Sequence, residues 1–107
     1  MGLSKDEKKA IEDFKKRLSS RYAVVDFRLF GSKSRGDDTS SSDVDVMVEL
    51  DESNPTIELE IYDIAYDVNL ENNCFISVVI FNRNELESGP LSESPIFKAI
   101  MREGVAI

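Results

Sequence analysis

Residues 29–48 read LFGSKSRGDDTSSSDVDVMV, and the order of secondary-structure elements in the chain follows from this stretch. Its first residues close a segment, Ala23 to Phe30, which is rich in β-branched and aromatic side chains and predicts a strand. Its last residues open a second strand, Asp43 to Leu50, in which apolar residues recur at every second position. Between them, Gly31 to Asp38 breaks the strand pattern and leaves room for a short helix. The stretch therefore joins two strands through a glycine turn.

Helical patterns flank this pair of strands on both sides. Ser4 to Glu7 has the composition of a capping box, and apolar residues at helical spacing follow it to about Ser20. Asn54 and Pro55 predict the start of a second helix, whose apolar stripe ends near Asn72. One long helix is therefore expected before the strand pair and one after it.

The last third of the chain contains one further strand pattern. Phe75 to Phe81 is a nearly continuous apolar run, which is typical of a strand at the centre of a sheet. Asn84 to Glu87 predicts one helical turn, and Gly89-Pro90 would stop it. Ser94-Pro95 then predicts the start of a last helix.

The chain closes with Gly104, which suits the C-terminal cap of that helix, and with Val105 to Ile107, which predicts a short edge strand. The order α-β-(α)-β-α-β-α predicts an α/β or α+β fold, a sheet packed on helices. Its 107 residues are enough for one small domain, residues 1–107, with one core. Such a small domain buries only a modest area when it folds, so association into a homo-oligomer or with a partner chain would add buried surface.

Charge is distributed unevenly along the chain. The net charge is −8, of which residues 1–36 contribute +5 and residues 37–107 contribute −13. An acidic body argues against broad nucleic-acid binding, because phosphate contacts dominate that affinity. No apolar run approaches the ~20 residues that span a membrane. The single cysteine, Cys74, favours a reducing, cytoplasmic setting.

Asp43 and Asp45 are the first candidate functional residues. Two positions apart in a strand, they project from the same face. Adjacent carboxylates repel each other, and a hard cation such as Mg²⁺ relieves the repulsion while binding substrate phosphates. Spacing alone fits the polar outer face of an ordinary strand equally well.

Gly31 to Arg35 supplies groups that suit a phosphate. Glycine allows close approach of the backbone, a helix N-terminus favours negative charge, and Ser32 adds a hydroxyl donor. Lys33 and Arg35 add positive charge nearby. A Gly-Ser dipeptide after a strand is also common in plain turns, so it is informative only together with the carboxylates.

Several other chemistries are excluded. The chain has no histidine, so it has neither a Ser–His hydrolase site nor a histidine-ligated zinc site. It has no Walker-type Gly-Lys-Ser/Thr and no dinucleotide Gly-x-Gly-x-x-Gly. After Asp45, valine and methionine stand where an EF-hand would need oxygen ligands.

The order Gly31-Ser32, Arg35-Gly36, Ser42 to Asp45 resembles that of the polymerase-β-type nucleotidyltransferase superfamily. In particular, the chain looks like the small, stand-alone minimal nucleotidyltransferases, and its ending from Ser94 to Val105 is similar to their closing helix. The resemblance covers most of the chain, and the Gly-Ser and Asp-x-Asp pairing is its specific part.

This resemblance implies a fold and a site. The fold would be a mixed β-sheet flanked by helices, the polymerase-β-type nucleotidyltransferase fold. Gly31 and Ser32, with Arg35 nearby, would bind the triphosphate of a nucleotide, and Asp43 and Asp45 would bind Mg²⁺. The activity implied is transfer of a nucleoside monophosphate, with AMP favoured and ATP as donor, to a hydroxyl of a protein or small molecule.

One position departs from the family pattern. Members usually carry a third acidic residue on a later strand, where it helps to activate the attacking hydroxyl. In the matching run, Phe75 to Phe81, that place is occupied by Ser77. Serine is a poor magnesium ligand and no general base at neutral pH. Asp67 and Glu71, on the preceding helix, are the candidates to replace it.

Without the third carboxylate, the site would keep the two ligands that bind the nucleotide with Mg²⁺ but would lose one that transfer uses. Many minimal nucleotidyltransferases resemble antitoxins that pair with a helical HEPN-type toxin. The alternative to an enzyme is therefore a catalytically weak, antitoxin-type binding module that neutralises such a partner. Either protein would retain Mg²⁺–triphosphate binding by Asp43 and Asp45.

Overall fold

The computed structural model describes residues 3–31, 43–88 and 93–107. The elements are α1 (Lys5–Arg21), β1 (Val24–Phe30), β2 (Val44–Leu50), α2 (Pro55–Asn72), β3 (Ile76–Asn82), α3 (Arg83–Ser88), α4 (Pro95–Glu103) and β4 (Val105–Ala106). Within the described residues, they confirm the predicted order of helices and strands. The short helix expected within Gly31 to Asp38 lies, apart from Gly31, outside the described residues, and so does the stop at Gly89-Pro90.

The predicted capping residues begin the helices. Ser4 Oγ accepts a bond of 3.1 Å from the Glu7 N–H, and the Glu7 carboxylate accepts one of 2.9 Å from the Ser4 N–H. Asn54 Oδ1 accepts a bond of 2.9 Å from the Ile57 N–H at the start of α2, and Ser94 caps α4 in the same way. Each cap satisfies backbone donors that have no partner within the helix.

The two helix ends at Asn73 and Gly104 differ in an informative way. Gly104 caps α4 as predicted, but its φ of −71° is one that any residue adopts. Glycine is required there for space, because a Cβ would overlap the carbonyl oxygen of Ile100 and lie 3.3 Å from that of Leu29. The left-handed cap, with φ 50°, is Asn73 at the end of α2, a residue that tolerates this conformation.

The sheet is mixed and has the strand order β3-β2-β1-β4. β1 lies antiparallel to β2 and to β4, and β2 lies parallel to β3. The chain therefore has a mixed β-sheet flanked by helices, as the resemblance implied. The short terminal strand β4 lies at one edge, as predicted.

The predicted central position of the apolar run is wrong, because β3 is the other edge strand of the sheet that the described residues form. Its apolar character has a different cause. Ile76 is buried in one apolar cluster and Phe81 in a second, on opposite faces of the sheet. Helices cover both faces of the sheet, so an edge strand can be apolar on both sides without a strand on each side.

The two faces of β2 belong to these two clusters. Val44, Val46 and Val48 are fully buried in the cluster that contains the buried residues of α1 and α2. Met47 is fully buried in the other, with Leu86 of α3 and Ile100 of α4. Asp45 shares the parity of Met47, so it lies on the α4 side of the sheet. No helix in the described ranges is long and apolar enough to cross a membrane.

Candidate functional site

Asp45 lies in a row of three residues that crosses the sheet. It pairs with Phe30 of antiparallel β1 and with Ser77 of parallel β3. Directly paired residues of neighbouring strands project from the same face. The carboxylate of Asp45 is therefore flanked by Phe30 on one side and by the Ser77 hydroxyl on the other.

Gly31 lies against Asp45 at the end of β1. Its φ is +76°, a left-handed conformation that favours glycine. A Cβ at this position would overlap Asp45 Oδ2 and lie 3.2 Å from Asp45 Cγ. Glycine is therefore required here for both conformation and space, and the backbone turns directly beside the carboxylate.

Asp43 lies one residue before β2, so its predicted place within the strand is wrong by one residue. Its side chain is exposed, and pairing with β3 begins at Val44, whose N–H donates to the Phe75 carbonyl at 2.9 Å. The antiparallel ladder with β1 ends at Phe30 and Asp45, because Gly31 turns the chain away. The two carboxylates remain two residues apart at the same end of β2.

Of the predicted nucleotide-binding residues, only Gly31 is described. Ser32 and Arg35 lie outside the described residues. Among those that the structure does describe, no group of three His, Cys, Asp or Glu side chains could hold a metal ion. The pair Asp43 and Asp45 thus has no third carboxylate from that part of the chain.

Ser77 occupies the position at which a third carboxylate was expected, directly opposite Asp45 in the register. The suggestion that Asp67 or Glu71 replaces it is wrong. α2 packs on the valine face of β2, whereas Asp45 projects from the other face. The Glu71 carboxylate is also engaged in an ion pair with Arg17 of α1.

A second polar group lies further along the same face, and sequence reasoning missed it. Glu49 of β2 pairs in register with Asp26 of β1, and Arg28 Nε donates to Asp26 Oδ2 at 2.7 Å. Burial raises the pKa of Glu49, and the nearby Asp26 carboxylate raises it further. The alternation that singled out Asp45 continues to Glu49, so the pattern contained this signal.

Replacing Glu49 by Gln should stabilise the fold at neutral pH. Because the folded-state pKa of Glu49 is raised, the protonated side chain stabilises the fold relative to the ionised one. This contribution to the free energy of unfolding is fully present below the ordinary carboxyl pKa and is lost as the pH rises through the raised value. The amide imitates the protonated form, so Glu49→Gln should raise Tm by roughly a few degrees at neutral pH and by little in acid. Thermal melts across pH measure this, with exposed Glu52→Gln as the control. An equal gain at all pH values would contradict the assignment.

The mixed sheet with helices on both faces is the architecture of nucleotidyltransferase domains. Residues 11–103 match the family model of the nucleotidyltransferase domain, and the chain belongs to this family.

Two proteins of Methanocaldococcus jannaschii are similar to the chain. "Putative protein adenylyltransferase MJ1379" is 47% identical over 47 residues, which cover 44% of this chain and 47% of that protein. "Putative protein adenylyltransferase MJ1215" is 34% identical over 82 residues, which cover 74% of this chain and 87% of that protein. The chain thus matches about half the length of the first relative and most of the second.

Two solved structures share the fold. A "putative minimal nucleotidyltransferase" aligns with a TM-score of 0.63 and 18% identity, covering 94% of this chain and 91% of that one. A toxin–antitoxin structure with AMP-PNP aligns with a TM-score of 0.61 and 19% identity, covering 90% of this chain and 70% of that one. At these identities the likeness concerns the fold.

Proposed function

We propose that the chain binds a nucleoside triphosphate together with Mg²⁺ and transfers a nucleoside monophosphate to a hydroxyl of a protein or small molecule. The observation that carries this proposal is the placement of Gly31 directly against Asp45. A turn without a side chain lets a phosphate approach the backbone, and the neighbouring carboxylate can share a cation with that phosphate. The names of the two archaeal relatives support an adenylyl group, and hence ATP as donor.

The residues at this end of β2 suit a magnesium ion. Mg²⁺ prefers oxygen ligands and is commonly held by one or two carboxylates together with substrate phosphates. Asp43 and Asp45 provide such a pair, and the residues that flank Asp45 in its row, Phe30 and Ser77, carry neither a thiol nor an imidazole. When bound, the ion would supply positive charge that offsets the charge of the triphosphate.

Each residue then has a distinct task in the transfer. Gly31, with Ser32 and Arg35 after it, would position the triphosphate, and Asp43 and Asp45 would hold the cation beside it. The acceptor hydroxyl oxygen forms a bond to the α-phosphorus, and the bond from that phosphorus to the bridging oxygen breaks. Pyrophosphate leaves, and the hydroxyl proton passes to solvent. Ser77 offers no base for that proton.

A second candidate function is favoured by Ser77, which stands opposite Asp45 in place of a carboxylate. A site with two acidic ligands can bind Mg²⁺–triphosphate while transferring slowly. Such a protein would act as an antitoxin-type binding module that neutralises a HEPN-type toxin. The toxin–antitoxin structure with AMP-PNP has the same fold, which is compatible with this candidate.

Labelled ATP separates the two functions. The chain is incubated with Mg²⁺ and ATP labelled at the α- or the γ-phosphate, with the product of the adjacent gene as protein acceptor. Nucleotidyl transfer predicts that only the α-label reaches the acceptor, with release of pyrophosphate. Transfer of the γ-label would contradict the reaction, and Mg²⁺–ATP binding without any transfer would favour the binding module.

Replacing Gly31 by Ala should weaken Mg²⁺–ATP binding at least tenfold and destabilise the fold. Alanine in the left-handed region costs about 1–2 kcal/mol, and the new Cβ would push Asp45 from its place. Calorimetric titration and urea unfolding measure the two effects. Gly104→Ala is the matched control, because its Cβ meets the Ile100 carbonyl instead and should cost stability alone. An equal loss of Mg²⁺–ATP binding in both variants would contradict the assignment of Gly31 to the binding site.

A further inference from the structure

Only some of the backbone N–H and C=O groups at the outer edge of β3 have hydrogen-bond partners among the described residues. The Val44 N–H donates to the Phe75 carbonyl, so in β3 the odd-numbered residues direct their backbone groups toward β2 and the even-numbered residues direct them outward. The outward groups of Ile76 are bound by Asn69 of α2. The Ile76 N–H donates to Asn69 Oδ1 at 2.7 Å, and Asn69 Nδ2 donates to the Ile76 carbonyl at 3.3 Å. A side-chain amide thus stands where the backbone of another strand would bond.

Beyond Ile76, the edge has no hydrogen-bond partner within the described ranges of the chain. Among the described residues, none bonds to the outward N–H and C=O groups of Val78 and Ile80, whose side chains are only half buried. β3 also lacks the charged residues, prolines and bulges with which edge strands commonly avoid pairing. The edge therefore offers two donors and two acceptors in the geometry of a strand ladder.

α2 extends an apolar face beyond this edge. Tyr66 and Leu70 are 64% and 66% exposed, and with Leu59 and Tyr62 they recur at helical spacing. A groove of about 520 Å³ lies between α2 and the start of β3, lined among others by Tyr62, Tyr66, Leu70 and Val78. A strand added beside β3 would place every second side chain in this groove, next to the exposed aromatic rings.

The charges of the residues near the β3 edge indicate which kind of partner would bind there. No lysine or arginine lies between Arg35 and Arg83, and α2 is acidic, with Asp63 and Asp67 beside its apolar stripe. On the opposite face of the sheet, Asp45 and Glu49 project from β2, and Arg28 and Arg83 lie near Glu49. A second copy of the chain would bring two acidic α2 helices together, whereas a basic segment would be attracted to a region, residues 37–107, whose net charge is −13.

We propose that the open edge of β3 and the apolar face of α2 form a docking surface for an extended segment of a partner protein, in which apolar and basic residues alternate. The segment adds a fifth strand beside β3. Its backbone bonds to Val78 and Ile80, its apolar side chains fill the groove under α2, and its basic side chains project from the other face of the sheet. This docking goes beyond the proposed nucleotidyl transfer and does not depend on it.

A short fluorescein-labelled peptide that alternates lysine and valine is the probe, and its fluorescence anisotropy with the full chain is the measurement. The peptide should bind, and a glutamate–valine peptide should not. Two further peptides carry N-methyl groups on all lysines or on all valines. Only one of these sets of N–H groups faces β3, so one peptide should bind about tenfold more weakly than the other.

Two variants of the chain locate the binding. Val78→Pro removes one outward N–H and leaves the inward bonds of β3 intact, and Tyr66→Ser removes apolar surface from α2. Each should weaken peptide binding about tenfold. Ile96→Ser on α4 is the matched control, because Ile96 is also a large exposed apolar side chain on a helix and does not line the groove between α2 and β3. Tyr66 is exposed, so its replacement tests the surface even where Val78→Pro fails to fold.

Several results would overturn the proposal. They are no binding of the lysine–valine peptide, equal binding of the glutamate–valine peptide, equal binding of the two N-methylated peptides, and loss of binding in Ile96→Ser equal to that in Tyr66→Ser. Sedimentation equilibrium tests whether a second copy of the chain binds at this edge instead. A dimer of the chain alone that Val78→Pro dissociates would assign the edge to a second copy instead.

Discussion

The double variant Asp43→Asn, Asp45→Asn should lose Mg²⁺-dependent ATP binding by on the order of a thousandfold while its fold survives. Two unit charges 4 Å apart interact by about 4 kcal/mol at the effective dielectric of a protein surface, so losing two carboxylates beside a divalent ion removes several kcal/mol. Asparagine keeps the shape of aspartate and removes only its charge. Calorimetric titration of ATP with and without Mg²⁺ measures the loss.

The melting temperature of the same variant shows whether Asp43 and Asp45 form a binding site or support the fold. Two like charges at one end of β2 repel each other, so without metal the double variant should melt no lower than the wild type. Asp63→Asn, Asp67→Asn on α2 is the matched control, because it removes the same charge from exposed positions on the other side of the sheet. A melting temperature several degrees lower in the first variant alone would show that Asp43 and Asp45 support the fold instead.

Ser77→Asp should raise nucleotidyl transfer by about 10²–10⁴-fold if the missing carboxylate alone limits the reaction. Ser77 pairs directly with Asp45, so an aspartate there projects from the same face and can accept the proton of the attacking hydroxyl. Without metal the variant should be less stable, because a third like charge joins two others, and Mg²⁺ should reverse that loss by mass action. Label transfer from α-labelled ATP measures the rate.

The control for this variant is Ser77→Asn, which fills the same space without a charge and should leave transfer unchanged. A wild type that already transfers fast, with Ser77→Asp neutral or slower, would contradict a role for this position. Absence of transfer in both proteins, with Mg²⁺–ATP binding retained, would favour the binding-module function.

Local patterns were sufficient to predict most of the elements of the fold. The capping box at Ser4, the Asn54-Pro55 start of α2 and the alternation of β2 each depend on neighbours within a few residues. The row that joins Asp45 to Ser77 followed from the resemblance, and the parallel register places both residues on one face.

The errors concern features that depend on distant parts of the chain. The apolar run of β3 predicted a central strand, because a sequence does not distinguish burial under helices from burial between strands. The bond from Asn69 to Ile76 joins a helix to a strand edge and has no local signature. Asp43 falls outside β2 because the turn at Gly31 ends the ladder on the neighbouring strand.

The central claim, that a metal-dependent triphosphate site lies where Gly31 meets Asp45, is tested most directly by NMR. Backbone amide spectra of the ¹⁵N-labelled full chain are recorded during titration with ATP, with Mg²⁺ and with a chelator. The largest shifts should fall on Gly31 and on residues 43–45, and they should vanish without Mg²⁺. Shifts that are equal with and without the metal, or that concentrate elsewhere, such as in the groove between α2 and β3, would contradict the claim.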